Sequence, residues 1–252
     1  IKKGEAGAHI EINQEQKVEE LSEISFDKSL ADHVHCTPDM HKQYRSVLGQ
    51  INWLQSRTQY QACYEFSRCA SAAASPTIGS VRALNKIVRK IRHEKVVLKV
   101  WPLKGPTRLV GYPDAAFKNN EDKSSQRGQC IFLAEQRKTG VTAPKASLID
   151  YESAKIKNQT LSTTVAELNA FTRCFGTCQF LRGLWMDMTA EVSDIHMRTD
   201  ANNLVTTAST TRLPEQKETI HMITQLRQQA LSGNMHDLAH VKTEYMVADC
   251  SV

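Results

Sequence analysis

Four acids in the second half of the chain stand where a carboxylate could do chemistry. Asp114 closes the apolar run RLVGYPDAAF, Glu167 is the only acid in LSTTVAELNAFTRCFGTCQFLRGLW, Asp200 closes DIHMRTD, and Asp249 follows LAHVKTEYMVA. For Glu167 a local reason exists: Ser162, Thr163 or Thr164 can cap a helix, and a carboxylate in its first turns gains ~0.3–1 kcal/mol from the macrodipole. That would suffice to explain one acid. If the strands ending in Asp114 and Asp200 lie side by side and parallel, however, their carboxylates emerge at one sheet edge, and the start of the intervening helix can bring Glu167 over it. Asp249 can then approach from the last segment. Two unit charges ~4 Å apart repel by ~4 kcal/mol at an effective dielectric of 20, so such a cluster demands protons or cations. Hard oxygen donors suit Mg²⁺ or Mn²⁺, and two such ions ~3.5–4 Å apart can activate a water and stabilise the departing oxygen of a phosphodiester. No Ser, Cys or His nucleophile is then required.

The elements that must position these acids follow from periodicity. Residues 14–26 place Val18, Leu21 and Ile24 on one helical face, residues 44–55 and 60–74 also have helical spacing, and 77–93 puts Val81, Leu84, Val88 and Ile91 on one side. On the opposite side of that last helix Arg82, Lys86, Arg89 and His93 form a basic stripe, with Lys90 beside it, and these five are the candidate nucleic-acid contacts. After Trp101, RLVGYPDAAF, GQCIFLAE and SLIDYESAK read as three strands. A long helix starts at about Thr164 and buries Leu168, Phe171, Phe175, Cys178, Leu181 and Trp185. DIHMRTDANN reads as a strand ending in a loop, ETIHMITQLRQQAL as a helix, LAHVKTE as a short strand and VADCSV as a first helical turn. The class is α/β: a mixed five-stranded sheet flanked by helices, preceded by a mainly helical basic segment.

Charge is divided along the chain. Residues 1–40 hold four Lys and nine acids, net −5; residues 41–101 hold eleven Lys and Arg against Glu65 and Glu94, net +9; residues 102–252 are close to neutral at +1. A basic block of this kind suits a polyanion, because phosphate contacts release condensed counterions, although a solvated basic face would read the same. Seven cysteines, an odd number without CxxC spacing, favour neither a disulfide framework nor a zinc site and point to a reducing, intracellular compartment rather than secretion. Cys174 and Cys178, one turn apart, could share a metal, but free cysteines more often serve as small core residues. No apolar run reaches the ~18 residues of a membrane span, and IKKGEAGAHI has neither an initiator Met nor a signal segment, so the chain reads as a piece of a longer one.

Five blocks in order carry a resemblance. TPDMHKQYRSVLGQINWLQSRTQ (37–59), GYPDAAF, LSTTVAEL, RTDANNLV and HVKTEYMVADCSV resemble the TP…YRSLVGSLLYL…TRPD, GYSDADW, LSSTEAEY, CDNQSAI and YVPTEDQLADILTK segments of the reverse transcriptase–RNase H region of copia-type LTR retrotransposons. The resemblance covers most of the chain and implies an RNase H-like fold. It also implies metal-dependent cleavage of the RNA strand of RNA–DNA hybrids, with Asp114, Glu167, Asp200 and Asp249 as catalytic and metal-binding acids and Mg²⁺ or Mn²⁺, two ions, as the cofactor. It divides the chain into an acidic remnant of the palm and thumb edge (1–40), a basic helical thumb and connection segment (41–101) and an RNase H-like domain (102–252). Its partners would be an RNA–DNA hybrid and the rest of the reverse transcriptase or a second copy, with no membrane and no small-molecule cofactor, in a cytoplasmic particle or the nucleus.

Departures from the pattern matter. Val165 and Ala116 stand where the family has acids, Thr58-Gln59 replaces Pro-Asp, and little chain follows Asp249, which leaves its anchoring open. His240 falls on a strand position, where a surface or core role is more common than assistance to catalysis, and Tyr112 and Trp101 read as core aromatics that could instead stack on nucleic acid. Residues 1–40 contain no apolar strand ending in an acid pair, so no polymerase activity is expected. The alternatives to a ribonuclease H are a catalytically decayed nucleic-acid-binding module and another polynucleotidyl transferase on the same fold.

Overall fold

The computed structural model describes residues 2–4, 7–120, 122–136, 145–157, 160–211, 214 and 217–251. Two short strands, β1 (Lys2–Gly4) and β2 (Gly7–Ile12), are followed by helices α1 (Glu15–Glu20), α2 (Pro38–Gln55), α3 (Cys63–Ser71) and α4 (Ile78–His93). A short β3 (Leu98–Val100) leads to β4 (Thr107–Ala116), β5 (Gln126–Glu135), β6 (Ala146–Lys155), α5 (Thr163–Thr189), β7 (Asp194–Thr199), α6 (Asn202–Ser209), α7 (Ile220–Leu231) and β8 (Asp237–His240). The chain forms two compact units, Glu11–Leu98 and a second built from Lys99–Val252 together with Ile1–Ile10. This differs from the division at residues 40 and 101 read from charge: residues 11–40 share a unit with the basic helices.

In the helical unit, local chemistry sets the helix starts. Thr37 caps α2 by accepting from Met40 N at 3.3 Å with Pro38 in the first turn, and Thr77 and Ser80 close a reciprocal capping box on α4. Val81, Leu84, Val88 and Ile91 are buried as their spacing requires, against Tyr44, Ile51 and Leu54 of α2. The expected helix over 14–26 is the main exception. α1 stops at Glu20, Leu21 is extended and residues 22–27 form neither helix nor strand, although Leu21 and Ile24 are buried. The cause is Asn85, a buried polar residue on α4 whose side chain accepts from Ile24 N and donates to Ile24 O, both at 2.9 Å. That amide satisfies Ile24's backbone as a neighbouring strand would, so the segment has no need of helical bonds. The expected 60–74 helix is also shorter, a 3₁₀ turn at Tyr60–Ala62 leading into α3.

The second unit is built on a five-stranded sheet in the order β6-β5-β4-β7-β8, with β4, β5 and β6 antiparallel neighbours and β4, β7 and β8 parallel. Three meandering strands, a crossover helix and two further parallel strands make the RNase H-like fold. Ser162 caps α5 by accepting from Val165 N at 3.3 Å, and α5 buries Leu168, Phe171, Cys174, Phe175 and Cys178 against Leu109, Ile131, Ile195 and Met197. Leu181 and Trp185 pack at the edge of this core and are only partly buried. Gly111 sets how closely helix and sheet approach, because a Cβ there would lie 2.9 Å from Cys174 Sγ and 3.0 Å from both Cys178 Sγ and Met197 Sδ. The short α6 follows closely on β7, where DIHMRTDANN predicts a strand ending in a loop.

Candidate active site

The register of the two central strands brings the first acids together. β4 and β7 pair with Arg108 beside Asp194 and Gly111 beside Met197, and continuing that register three residues sets Asp114 level with Asp200 at the carboxyl ends of both strands. Alternation along β4 turns Asp114 to the face opposite α5, since Leu109 and Gly111 face the helix, and Asp200 follows directly on β7. Glu167 lies one turn into α5 and completes the group: one carboxylate oxygen from each of Asp114, Glu167 and Asp200 lies within 4.8 Å of the others. Among the described residues this is the only set of three or more His, Cys, Asp or Glu side chains so arranged. Cys174 and Cys178 are free thiols, fully buried, and belong to the core.

Asp249 comes from a terminal 3₁₀ turn, Val247–Ser251, and its carboxyl stands near enough to Asp114 to raise that group's pKa without joining the three-oxygen group. It is exposed, but its segment is held by Met246 and Ala248, both buried in a small cluster with Cys130, Tyr112 and Phe132 on the sheet face away from α5. Cys130 Sγ also donates to Val247 O at 3.7 Å. The short chain beyond Asp249 therefore does not leave it loose.

The electrostatics are those of acids without counter-ions. Burial pushes Asp114 up to about 7, helped by the charge of Asp200 and the nearby Asp249 carboxyl, and a hydrogen bond from Ala115 N at 2.8 Å opposes the shift only in part. Burial likewise pushes Glu167 up to about 8, with the charges of Asp114 and Asp200 adding to it. Among the described residues no Lys or Arg offsets either group. Asp200 accepts from Thr243 Oγ1 at 3.1 Å. His240, the exposed last residue of β8, sits level with Thr199 at the same rim and outside the acid group. Tyr112 packs edge-on to Phe132 at 5.8 Å, and Trp101 lies under Lys145 and beside His9, so both aromatics have partners within the unit.

The basic stripe of α4 is differently placed. Arg82 pairs with Asp32 and donates to the carbonyls of Lys28 and Leu30, Arg89 pairs with Glu23, and Lys90 donates to Glu65 at 2.7 Å and to Gln61 O at 2.9 Å. Lys86 and His93 remain exposed with no such partner among the described residues. The acidic and basic blocks lie apart in the sequence, and only the fold brings one to neutralise part of the other.

A second basic face, not among the expected contacts, lies on the outer side of α2, where Lys42, Arg45, Gly49 and Trp53 follow one another at helical spacing and Arg57 continues the line. All five are exposed, and Lys42, Arg45 and Arg57 form no ion pair among the described residues. Trp53 presents its ring to solvent with the Arg57 guanidinium 5.0 Å from its centroid. With the Gln14 amide turned so that its nitrogen donates to Leu54 O, its oxygen accepts from Trp53 Nε1 at 3.0 Å, which fixes the ring. Gly49 has open space where a Cβ would point, so no packing explains a residue that costs a helix ~1 kcal/mol. The signal was the polar side of a helix already recognised by its apolar side.

No family model and no curated protein matches the chain. Among solved structures it is similar to LC11-RNase H1 in complex with RNA/DNA hybrid (17% identity, 57% of this chain and 94% of that one, TM-score 0.42). It is also similar to RNase H1 from Halobacterium salinarum (16%, 57% and 93%, TM-score 0.39) and to the foamy viral protease–reverse transcriptase in complex with RNA/DNA hybrid (14%, 94% and 27%, TM-score 0.47). The fold itself rests on the strand order and directions given above. No helix among the described residues is long and apolar enough to cross a membrane.

Proposed function

We propose that the chain is a metal-dependent ribonuclease H that cleaves the RNA strand of RNA–DNA hybrids, and that it derives from a copia-type Pol polyprotein. The observation that carries this reading is the meeting of Asp114, Glu167 and Asp200 at one sheet edge with no basic partner. The donor set fits Mg²⁺ or Mn²⁺: three hard carboxylate oxygens within 4.8 Å, two of them on groups that burial and mutual repulsion hold toward the protonated form. Asp114, Glu167 and Asp200 would hold the ions, with Asp249 beside Asp114. A bound divalent ion supplies Lewis acidity for a water attacking phosphorus and for the departing ribose oxygen.

The remaining work falls to the chain's own groups. Asp114 and Glu167, held toward the protonated form, would release those protons on taking up cations, so ion affinity would rise with pH up to about 8. Thr243 holds the Asp200 carboxylate from its outer side, and Gly111 lets α5 sit close enough for Glu167 to reach the strand ends. The helical unit adds a backbone contact through Lys42, Arg45, Trp53 and Arg57, with Lys86 and His93 as further contacts. Phosphate neutralisation makes this binding independent of base sequence, and selectivity for the RNA strand rests on its 2′-hydroxyls.

The test is incubation of the whole chain with a hybrid labelled on each strand, with Mg²⁺, with Mn²⁺ and with chelator, beside Asp200→Asn. Cutting confined to the RNA strand, requiring metal and absent from Asp200→Asn, is expected. Equal cutting by both proteins, or salt-sensitive binding with no cutting in either metal, contradicts the reading; the latter indicates a decayed binding module. Action on DNA ends instead indicates another polynucleotidyl transferase.

A further inference from the structure

α5 is apolar on two sides. One side is the core face already described; directly opposite it run Arg173, Gly176, Phe180, Leu184 and Asp187, which at ~100° per residue fall within about 40° of a single line down the helix. Phe180 is 69% exposed and Leu184 46%, Met188 extends the apolar surface at 71%, and Gly176 has open space where a Cβ would stand. A solvated helix face normally carries polar residues, and a contiguous exposed apolar strip on a rigid helix marks a surface that is covered in use.

The order of residues along the strip says what covers it. We infer that it pairs with the same strip of a second copy of this chain, α5 against α5 antiparallel across a two-fold axis through Phe180. In an antiparallel match centred there, Phe180 faces Phe180, the Leu184 side chain enters the open position at Gly176, and Arg173 meets Asp187, each twice. Charge and shape are thus self-complementary, which is the requirement of an isologous interface. Both charged groups are available. Asp187 has no ionic or hydrogen-bonding partner among the described residues, and Arg173 uses its Nε on Glu152 at 3.2 Å while its terminal nitrogens bond to nothing else described. Pairing in the parallel sense would set Arg173 against Arg173 and Asp187 against Asp187, and an antiparallel match shifted by a turn would put Phe180 over Gly176 with no partner for the charges.

Sedimentation equilibrium on the whole chain, with reciprocal charge variants, tests this. The unaltered chain should form a dimer. Arg173→Asp alone and Asp187→Arg alone should each lose it, by tenfold or more in dissociation constant, and the double variant carrying both should regain it. Circular dichroism on the four proteins checks that all are folded, which surface positions of this kind permit. Phe180→Cys should in addition give a dimer crosslinked through residue 180 under mild oxidation, since Cys63, Cys69, Cys130, Cys174 and Cys178 are buried and Cys36 is only partly exposed. A chain that stays monomeric, a dimer indifferent to the single charge reversals, or a double variant no better than either single one would overturn the inference.

Discussion

In residues 11–98 acids meet bases: Asp32 with Arg82, Glu23 with Arg89, Glu65 with Lys90. In the second unit Asp114, Glu167 and Asp200 meet one another with no base between them. The first arrangement is complete in itself, and its half-exposed pairs each contribute ~0–1 kcal/mol. The second is costly as it stands and becomes favourable only when protons or cations enter. Charge satisfied inside a unit holds the fold together, and charge left unsatisfied marks where the molecule meets something else. By the same criterion the α2 face, with Lys42, Arg45 and Arg57 unpaired around an exposed Trp53, belongs with the acid cluster and not with α4.

The comparison can be broken most sharply at the acids. Asp114→Asn, Glu167→Gln and Asp200→Asn should each lower hybrid cleavage at saturating metal by at least on the order of 100-fold, while leaving hybrid binding by the helical unit in place. Loss of binding in parallel with cleavage would mean the acids act on the fold.

Gly111→Ala should come next. A methyl group wedged between three sulfurs at the helix–sheet contact should cost about 1–3 kcal/mol of unfolding free energy in a denaturant titration. A neutral result would show that α5 is not seated on the sheet as described.

The contrast between the two basic faces is sharpened by a pair of variants. Trp53→Ala should weaken hybrid affinity by ~1–3 kcal/mol in a fluorescence anisotropy titration, because an exposed ring offers a stacking surface. Arg89→Gln, which removes a cation already committed to Glu23, should change affinity by less than ~0.5 kcal/mol. Equal effects would return the grip to α4.

The smallest effect concerns pH. Asp114 and Glu167 have folded pKa values of about 7 and 8, above their ordinary 3.8 and 4.5, so between these limits the folded state binds more protons than the unfolded one. Stability of the metal-free chain must then fall as pH rises from about 4 to about 8, by ~1–2 kcal/mol after allowance for solvent screening. Asp114→Asn should flatten this slope, and saturating Mg²⁺ should reverse it. A slope unchanged in that variant would place its origin elsewhere.

Much of the sheet unit was legible in sequence because its signals are local and repeated. Strand runs end two residues past Asp114, at Ala116, and at Thr199 just before Asp200, and a hydroxyl cap opens a long helix just ahead of Glu167. What sequence could not give was anything made by distant side chains. Leu21 and Ile24 are buried as the helical pattern of 14–26 required, yet Asn85, far along the chain, bonds both backbone groups of Ile24 outside any helix. Likewise the stripe on α4 is basic as read, but Asp32 and Glu23 arrive from a segment whose path no periodicity reveals. At Asp249 a short remaining chain suggested weak anchoring, where Met246 and Ala248 in fact bury themselves beside Cys130.

The central claim is that Asp114, Glu167 and Asp200 act together as one cation site. Electron paramagnetic resonance titration of Mn²⁺ into the whole chain and into the single variants Asp114→Asn, Glu167→Gln and Asp200→Asn tests it without reference to activity. The account predicts saturable binding near neutral pH, weakened at least tenfold in every variant. Binding of undiminished affinity in any one of the three would contradict it.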